Sequence, residues 1–184
     1  AELLAETHGY TPPKSNWTDK NRSVGRPNIQ HTLSISAIRF AVDQVPTQVP
    51  GVSVIEANDI INAAPQAIRQ DPKPWSWHAM PGFTSGKNLV VTVPDHFFGL
   101  DFHEERKRFY FFCEADRNTM PVVRSNRRQS SIVRKFEAYL SGHKAGYHSQ
   151  RYGIGNLRFL FVTTSQKRID TMIAALTKVA DGAD

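Results

Sequence analysis

Arg108-Phe109-Tyr110-Phe111-Phe112-Cys113-Glu114-Ala115-Asp116 is the stretch whose reading decides the fold. The run from Phe109 to Cys113 is apolar, rich in β-formers and too short for an ordinary helix, so it fits a strand covered on both faces. It closes on two carboxylates, Glu114 and Asp116, which period-two alternation places on one face. Acids at the end of a core strand are unfavourable to bury unless a cation compensates them. That penalty marks a candidate site.

Working outward, Asp95 to Phe102 reads as the partner strand, joined through His103-Glu104-Glu105-Arg106, a connection of hairpin length. If those residues form the loop, Phe102 faces Lys107 and the register can be counted back. Leu100 then meets Phe109 and Phe98 meets Phe111 on one face. On the other, Asp101 meets Arg108, Gly99 meets Tyr110, Phe97 meets Phe112, and Asp95 meets Glu114. Opposed residues in such a pair lie about 4.5–5.5 Å apart, where like charges destabilise each other. A divalent cation removes the repulsion, and oxygen-only ligands suit Mg²⁺ or Mn²⁺. A register slip of a single residue would put the two acids on different faces.

The chain has 184 residues, 40% of them hydrophobic and 22% charged, which is enough for one globular domain with its own core. No apolar run approaches a membrane span and no signal-peptide pattern opens the chain. Cys113 is the single cysteine, so no disulfide forms within the chain and a reducing compartment, the cytoplasm, is expected. The chain does not begin with methionine and reads as a fragment of something longer. A net charge of +6 favours a polyanionic partner.

Residues 1–30, with Pro12-Pro13 and few apolar anchors, read as an arm or linker, and 31–184 as one domain. From about Ser34, the spacing of Ile35, Ile38, Val42 and Val45 predicts a helix that stops before Pro46. Gly51–Glu56 reads as a short strand. Asn58 or Asp59 is placed to cap a short helix through Ile60 and Ile61, interrupted at Pro65. Asp71–Gly86 reads as a loop whose indoles, Trp75 and Trp77, pack over the sheet. Leu89–Val93 is a further extended run, ended by Pro94. Ile132, Val133, Phe136, Tyr139 and Leu140 form the apolar stripe of a helix over roughly Asn126–Ser141, with Gly142 as its stop. Lys135 lies at the edge of that stripe. Leu157–Val162 reads as a buried strand. Thr164 or Ser165 then caps a helix carrying Ile169, Met172, Ile173, Leu176 and Val179. The order describes an α/β fold, a mixed central sheet flanked by helices on both faces.

These residues carry a resemblance. Pro94-Asp95, nineteen residues before Glu114-Ala115-Asp116, in a helix–three-strand–helix–strand order, resembles the PD-(D/E)XK restriction-endonuclease-like core. His31-Thr32-Leu33, the Pro-Asp strand, Glu114-Ala-Asp-Arg-Asn-Thr119, Lys135 followed by Tyr139, and Arg158-Phe-Leu-Phe-Val-Thr-Thr-Ser165 are similar to the bacterial plasmid replication-relaxation family. That family is related to the MobC class of mobilisation relaxases, and its members often carry an N-terminal winged helix. The resemblance spans about residues 30–180 and implies a nuclease-type domain of the bacterial cytoplasm without that module. The superfamily pattern has a lysine two residues after the second acid, where this chain has Asp116. In related groups the next helix supplies it, and Lys135 matches. Asn118 stands where the family has glycine, and asparagine also tolerates left-handed backbone geometry.

The chemistry implied is metal-assisted phosphodiester cleavage. Asp95 and Glu114 are the expected Mg²⁺ or Mn²⁺ ligands, with Asp116 a further ligand directly or through water. Lys135 is expected to orient the nucleophile or stabilise charge on the phosphate. Arg117, Arg124, Arg127, Arg128 and Arg134 are expected to neutralise the phosphates of DNA and make binding depend on salt. Relaxase chemistry can instead use a tyrosine; Tyr139 is nearest, but falls on the apolar stripe. Plainer readings stand beside these. Asp95 after Pro94 can open a turn, Glu114 and Asp116 can be a solvated strand end, and Lys135 can snorkel beside Tyr139. The arginines can form a solvated helix face. The seven histidines show no tight zinc-ligand spacing, and Gly153-Ile154-Gly155 lacks the strand-to-helix setting of a dinucleotide loop.

Overall fold

The computed structural model describes residues 26–78, 91–125 and 129–181. The chain divides into two compact units, Ala1–Leu33 and Ser34–Asp184. Of the expected arm, residues 1–25 lie outside the described residues. From Arg26 the chain is helical rather than extended, eight residues ahead of the expected helix start, as the first stretch of α1 (Arg26–Asp43). Pro27 falls in the first turn, where its missing N–H would have had no partner.

After α1 come α2 (Val45–Gln48), β1 (Val52–Ile55), α3 (Ala57–Ala63), α4 (Gln66–Arg69), β2 (Trp77–His78) and β3 (Val91–Thr92). Then follow β4 (His96–Phe102), β5 (Lys107–Ala115), α5 (Ile132–Lys144), α6 (Tyr147–Tyr152), β6 (Arg158–Val162) and α7 (Gln166–Ala180). The main sheet has the order β1-β4-β5-β6, and β2 and β3 form a separate small pair. β1 and β5 run antiparallel to β4, whereas β6 joins β5 in parallel. A parallel partner needs a long crossover, which α5 and α6 provide. The fold is therefore mixed α/β with a mixed central sheet.

The hairpin register is the one counted from the sequence, from Phe102 opposite Lys107 to Phe97 opposite Phe112, and it runs on to His96 opposite Cys113. Arg106 takes a positive φ of 53° in the connecting turn. Alternation then sorts the sheet. Phe97, Phe112, Phe159 and Phe161 face a core built with Ile60 and Ile61 of α3, Ala138 and Tyr139 of α5, and Trp77. Phe98, Phe111 and Cys113 face the other way, onto Ile38 and Val42 of α1. As expected, the indoles lie over the sheet, Trp75 edge-on to Phe97 and Trp77 edge-on to Phe112. Part of the expected Trp loop is, however, strand β2.

Three expectations shift. Helix α5 begins at Ile132, because Ser131 caps it by accepting from the Arg134 amide. It also runs through Gly142 to Lys144. Gly142 is a packing position: a Cβ there would sit 2.6 Å from the Trp77 ring, whose Nε1 donates to the Ala138 carbonyl at 2.8 Å. The helix ends at Gly146, which adopts the left-handed conformation at φ +70°. β6 lies at the sheet edge, so Phe159 and Phe161 turn inward while Leu160 and Val162 are 40% and 38% exposed. Finally, α7 is rotated from its expected setting. Arg168, Met172 and Ala175 are buried against α5, and Ile169, Ile173 and Leu176 are exposed.

Candidate active site: one buried carboxylate and what surrounds it

Glu114 follows Phe112 on the inward face of β5 and is 2% exposed. Lys135 and Tyr139 stand one helical turn apart on α5, so both project toward the same spot. The Lys135 ammonium pairs with Glu114 Oε2, and the Tyr139 hydroxyl donates to Oε1. The ring of Tyr139 is stacked on Phe159, with centroids 4.5 Å apart. Thr92 of β3 hydrogen-bonds the phenol from above the sheet.

Asp95 enters from the neighbouring strand. Its Oδ2 accepts the Ala115 amide at 2.8 Å, extending the β4–β5 ladder one rung with a side chain in place of a backbone carbonyl. Its charge adds to that of Glu114. Burial, the largest effect, and the Asp95 carboxylate push the Glu114 carboxyl up to about 7, against the opposing pull of Lys135 and Tyr139. Burial and the Glu114 charge likewise push the Tyr139 hydroxyl above its ordinary range. Three of the expected site residues, Asp95, Glu114 and Lys135, thus come together.

Asp116 does not join them. β5 ends at Ala115, and Asn118 turns the chain with φ 59°, so period-two alternation no longer applies. The Asp116 carboxylate instead accepts from Arg168 Nε at 2.8 Å and from Arg168 Nη2 at 2.9 Å. Thr163 Oγ1 donates to it at 2.8 Å. Burial opposes its ionisation, but Arg168 and Thr163 outweigh that and hold the carboxyl below its usual range. The expected three-acid ligand set of Asp95, Glu114 and Asp116 is therefore not assembled. Among the described residues, no group of three or more His, Cys, Asp or Glu is placed to hold a metal ion.

Of the expected DNA-contacting arginines, Arg117 and Arg134 are half-buried. Arg124 is exposed and closes its own loop, bonding the Ser130 carbonyl at 2.9 Å and Gln129 Oε1 at 2.6 Å. Arg127 and Arg128 lie outside the described residues. Sequence reasoning missed Arg168, Thr163 and Thr92. A signal for Arg168 was present: it stands four residues before Met172 and seven before Ala175, on the spacing of a buried stripe. No family model, curated protein or solved structure matches the chain.

Proposed function

We propose that the chain is a metal-dependent DNA endonuclease of nicking or relaxase type, acting in plasmid or mobile-element replication or mobilisation. The observation that carries the reading is the meeting of Asp95, Glu114 and Lys135 from two strands and a helix. The strand order supports it too. Three antiparallel strands, a helical crossover and a parallel fourth strand are what the PD-(D/E)XK resemblance implies, with Pro94-Asp95 just ahead of β4 and Glu114 near the end of β5.

Two carboxylates that raise each other's proton affinity are short of positive charge, and their hard oxygens suit Mg²⁺ or Mn²⁺. Asp95 and Glu114 would hold the ion, which when bound polarises a phosphate and acidifies a water. Lys135 brings a further positive charge to where the phosphate would lie. Arg117, Arg124 and Arg134 lie in the segments flanking it and would neutralise neighbouring phosphates, making binding fall as salt rises. No helix among the described residues is long and apolar enough to cross a membrane.

One observation favours a second reading, a DNA-binding replication-control module without turnover: both oxygens of Glu114 are already engaged and the residue is almost wholly buried. Nicking of supercoiled plasmid with Mg²⁺ or Mn²⁺ separates the two. The enzyme reading expects nicking by wild type that is abolished in Asp95→Asn and Glu114→Gln, with DNA binding retained. Binding without nicking, indifferent to metal and to both substitutions, supports the module.

A further inference from the structure

Resting on the metal-dependent reading above, we infer that Lys135 is a resident stand-in cation, occupying the face of Glu114 that a divalent ion takes and leaving when the ion arrives. The two groups that cap this carboxylate are unequal. Tyr139, on Oε1, is 1% exposed and has its ring fixed against Phe159, Phe161 and Trp77, so it cannot leave without opening the core. Lys135, on Oε2, has a side chain that is 23% exposed. Its ammonium sits on a flexible four-carbon stem and reaches water by side-chain rotation alone. Helix α5 need not move for this exchange, because the residue that stays and the residue that goes are separate side chains of the same helix.

Asp95 makes the exchange favourable. Its carboxylate is fixed to the Ala115 amide and adds a second negative charge beside Glu114. One ammonium leaves that pair undercompensated, whereas a divalent ion neutralises both. Ion entry is therefore on the Oε2 side, through the position Lys135 occupies. The displaced lysine stays at the rim, where an approaching phosphate ester meets its charge.

The test is Mn²⁺ titration of the 184-residue chain by calorimetry, with free Mn²⁺ followed by paramagnetic resonance. Wild type is compared with Lys135→Met, Lys135→Arg and Tyr139→Phe, and circular dichroism checks that each is folded. Lys135→Met is expected to bind Mn²⁺ about tenfold or more tightly than wild type, about 1.4 kcal/mol, because the competing cation is gone. Lys135→Arg, which keeps a cation on Glu114, is expected to bind no more tightly than wild type. Tyr139→Phe removes only the group that stays and is expected to give no tightening. Equal or weaker binding by Lys135→Met, with wild-type binding intact, overturns the inference and leaves the metal reading standing. Lack of binding by every folded variant and by wild type overturns both. If Lys135→Met fails to fold, Lys135→Gln takes its place with the same expectation.

Discussion

Glu114 and Asp116 are separated by one residue, and both are buried acids, yet their surroundings oppose each other. Asp116 has a guanidinium gripping both oxygens and a hydroxyl besides, and its proton is held off. Glu114 has one ammonium, one phenol and a second carboxylate beside it, and its proton is held on. A fully compensated buried charge joins the structure together: Arg168 ties the end of β5 to α7 and also donates to the Met120 carbonyl. An undercompensated one stores a demand for positive charge, which is what a site for an ion or a phosphate requires.

The largest expected effect breaks the compensated side. Arg168→Ala leaves Asp116 buried without its partner, which costs about 3–5 kcal/mol in such pairs. Urea unfolding should show that loss, and a double variant, Arg168→Met with Asp116→Leu, should recover much of it. A loss under about 1 kcal/mol would mean that water already shares the pair.

The second test sets the two acids against pH. Folded Glu114 keeps its proton to about 7, whereas its ordinary value is 4.5. Between those values the folded state holds more protons than the unfolded one, so stability falls as pH rises through that window, by at most about 1.4 kcal/mol per pH unit. Asp116 acts in the opposite sense. Its carboxyl is held below 3.8, so its contribution is present above that value and is lost as pH falls through the folded pKa. Urea midpoints from pH 3 to 8 should lose the upper decline in Glu114→Gln and part of the acid limb in Asp116→Asn.

A third test displaces only the helix that serves Glu114. Gly142→Ala pushes a methyl into the Trp77 ring and should cost about 1–3 kcal/mol. It should also perturb the Tyr139 ring resonances in NMR while leaving those of Thr163 in place. The smallest effect is expected from Tyr139→Phe, about 1 kcal/mol in thermal or urea unfolding, since one hydrogen bond goes and the ring stacking remains.

Much of the Glu114 side was legible in the sequence, because its determinants are local. A short polar loop sets the β4–β5 register, strand alternation carries Phe112 and Glu114 to one face, and helical spacing brings Lys135 and Tyr139 to one side of α5. The Asp116 side was not, because its partner is distant. Alternation was carried one residue past the end of β5, and Arg168 was read as surface because an arginine on an apolar stripe makes sense only once Asp116 is opposite it. Gly142 was misread for the same reason: a glycine near a helix end resembles a stop until Trp77 is seen lying across it. Burial of β6 was overstated because an apolar run does not reveal that its strand lies at the edge.

Trp77 also bears on how finely the acid cluster is aimed. The indole holds α5 in two senses at once, its nitrogen fixing the helix along its axis at Ala138 and its flat ring setting the stand-off at Gly142. An element pinned in both directions works as a jig: the tip of a long side chain upstream can swing while the root from which it swings stays put. Precision at one end of the helix is thus supplied by an aromatic wedge at the other, on a surface no substrate would touch.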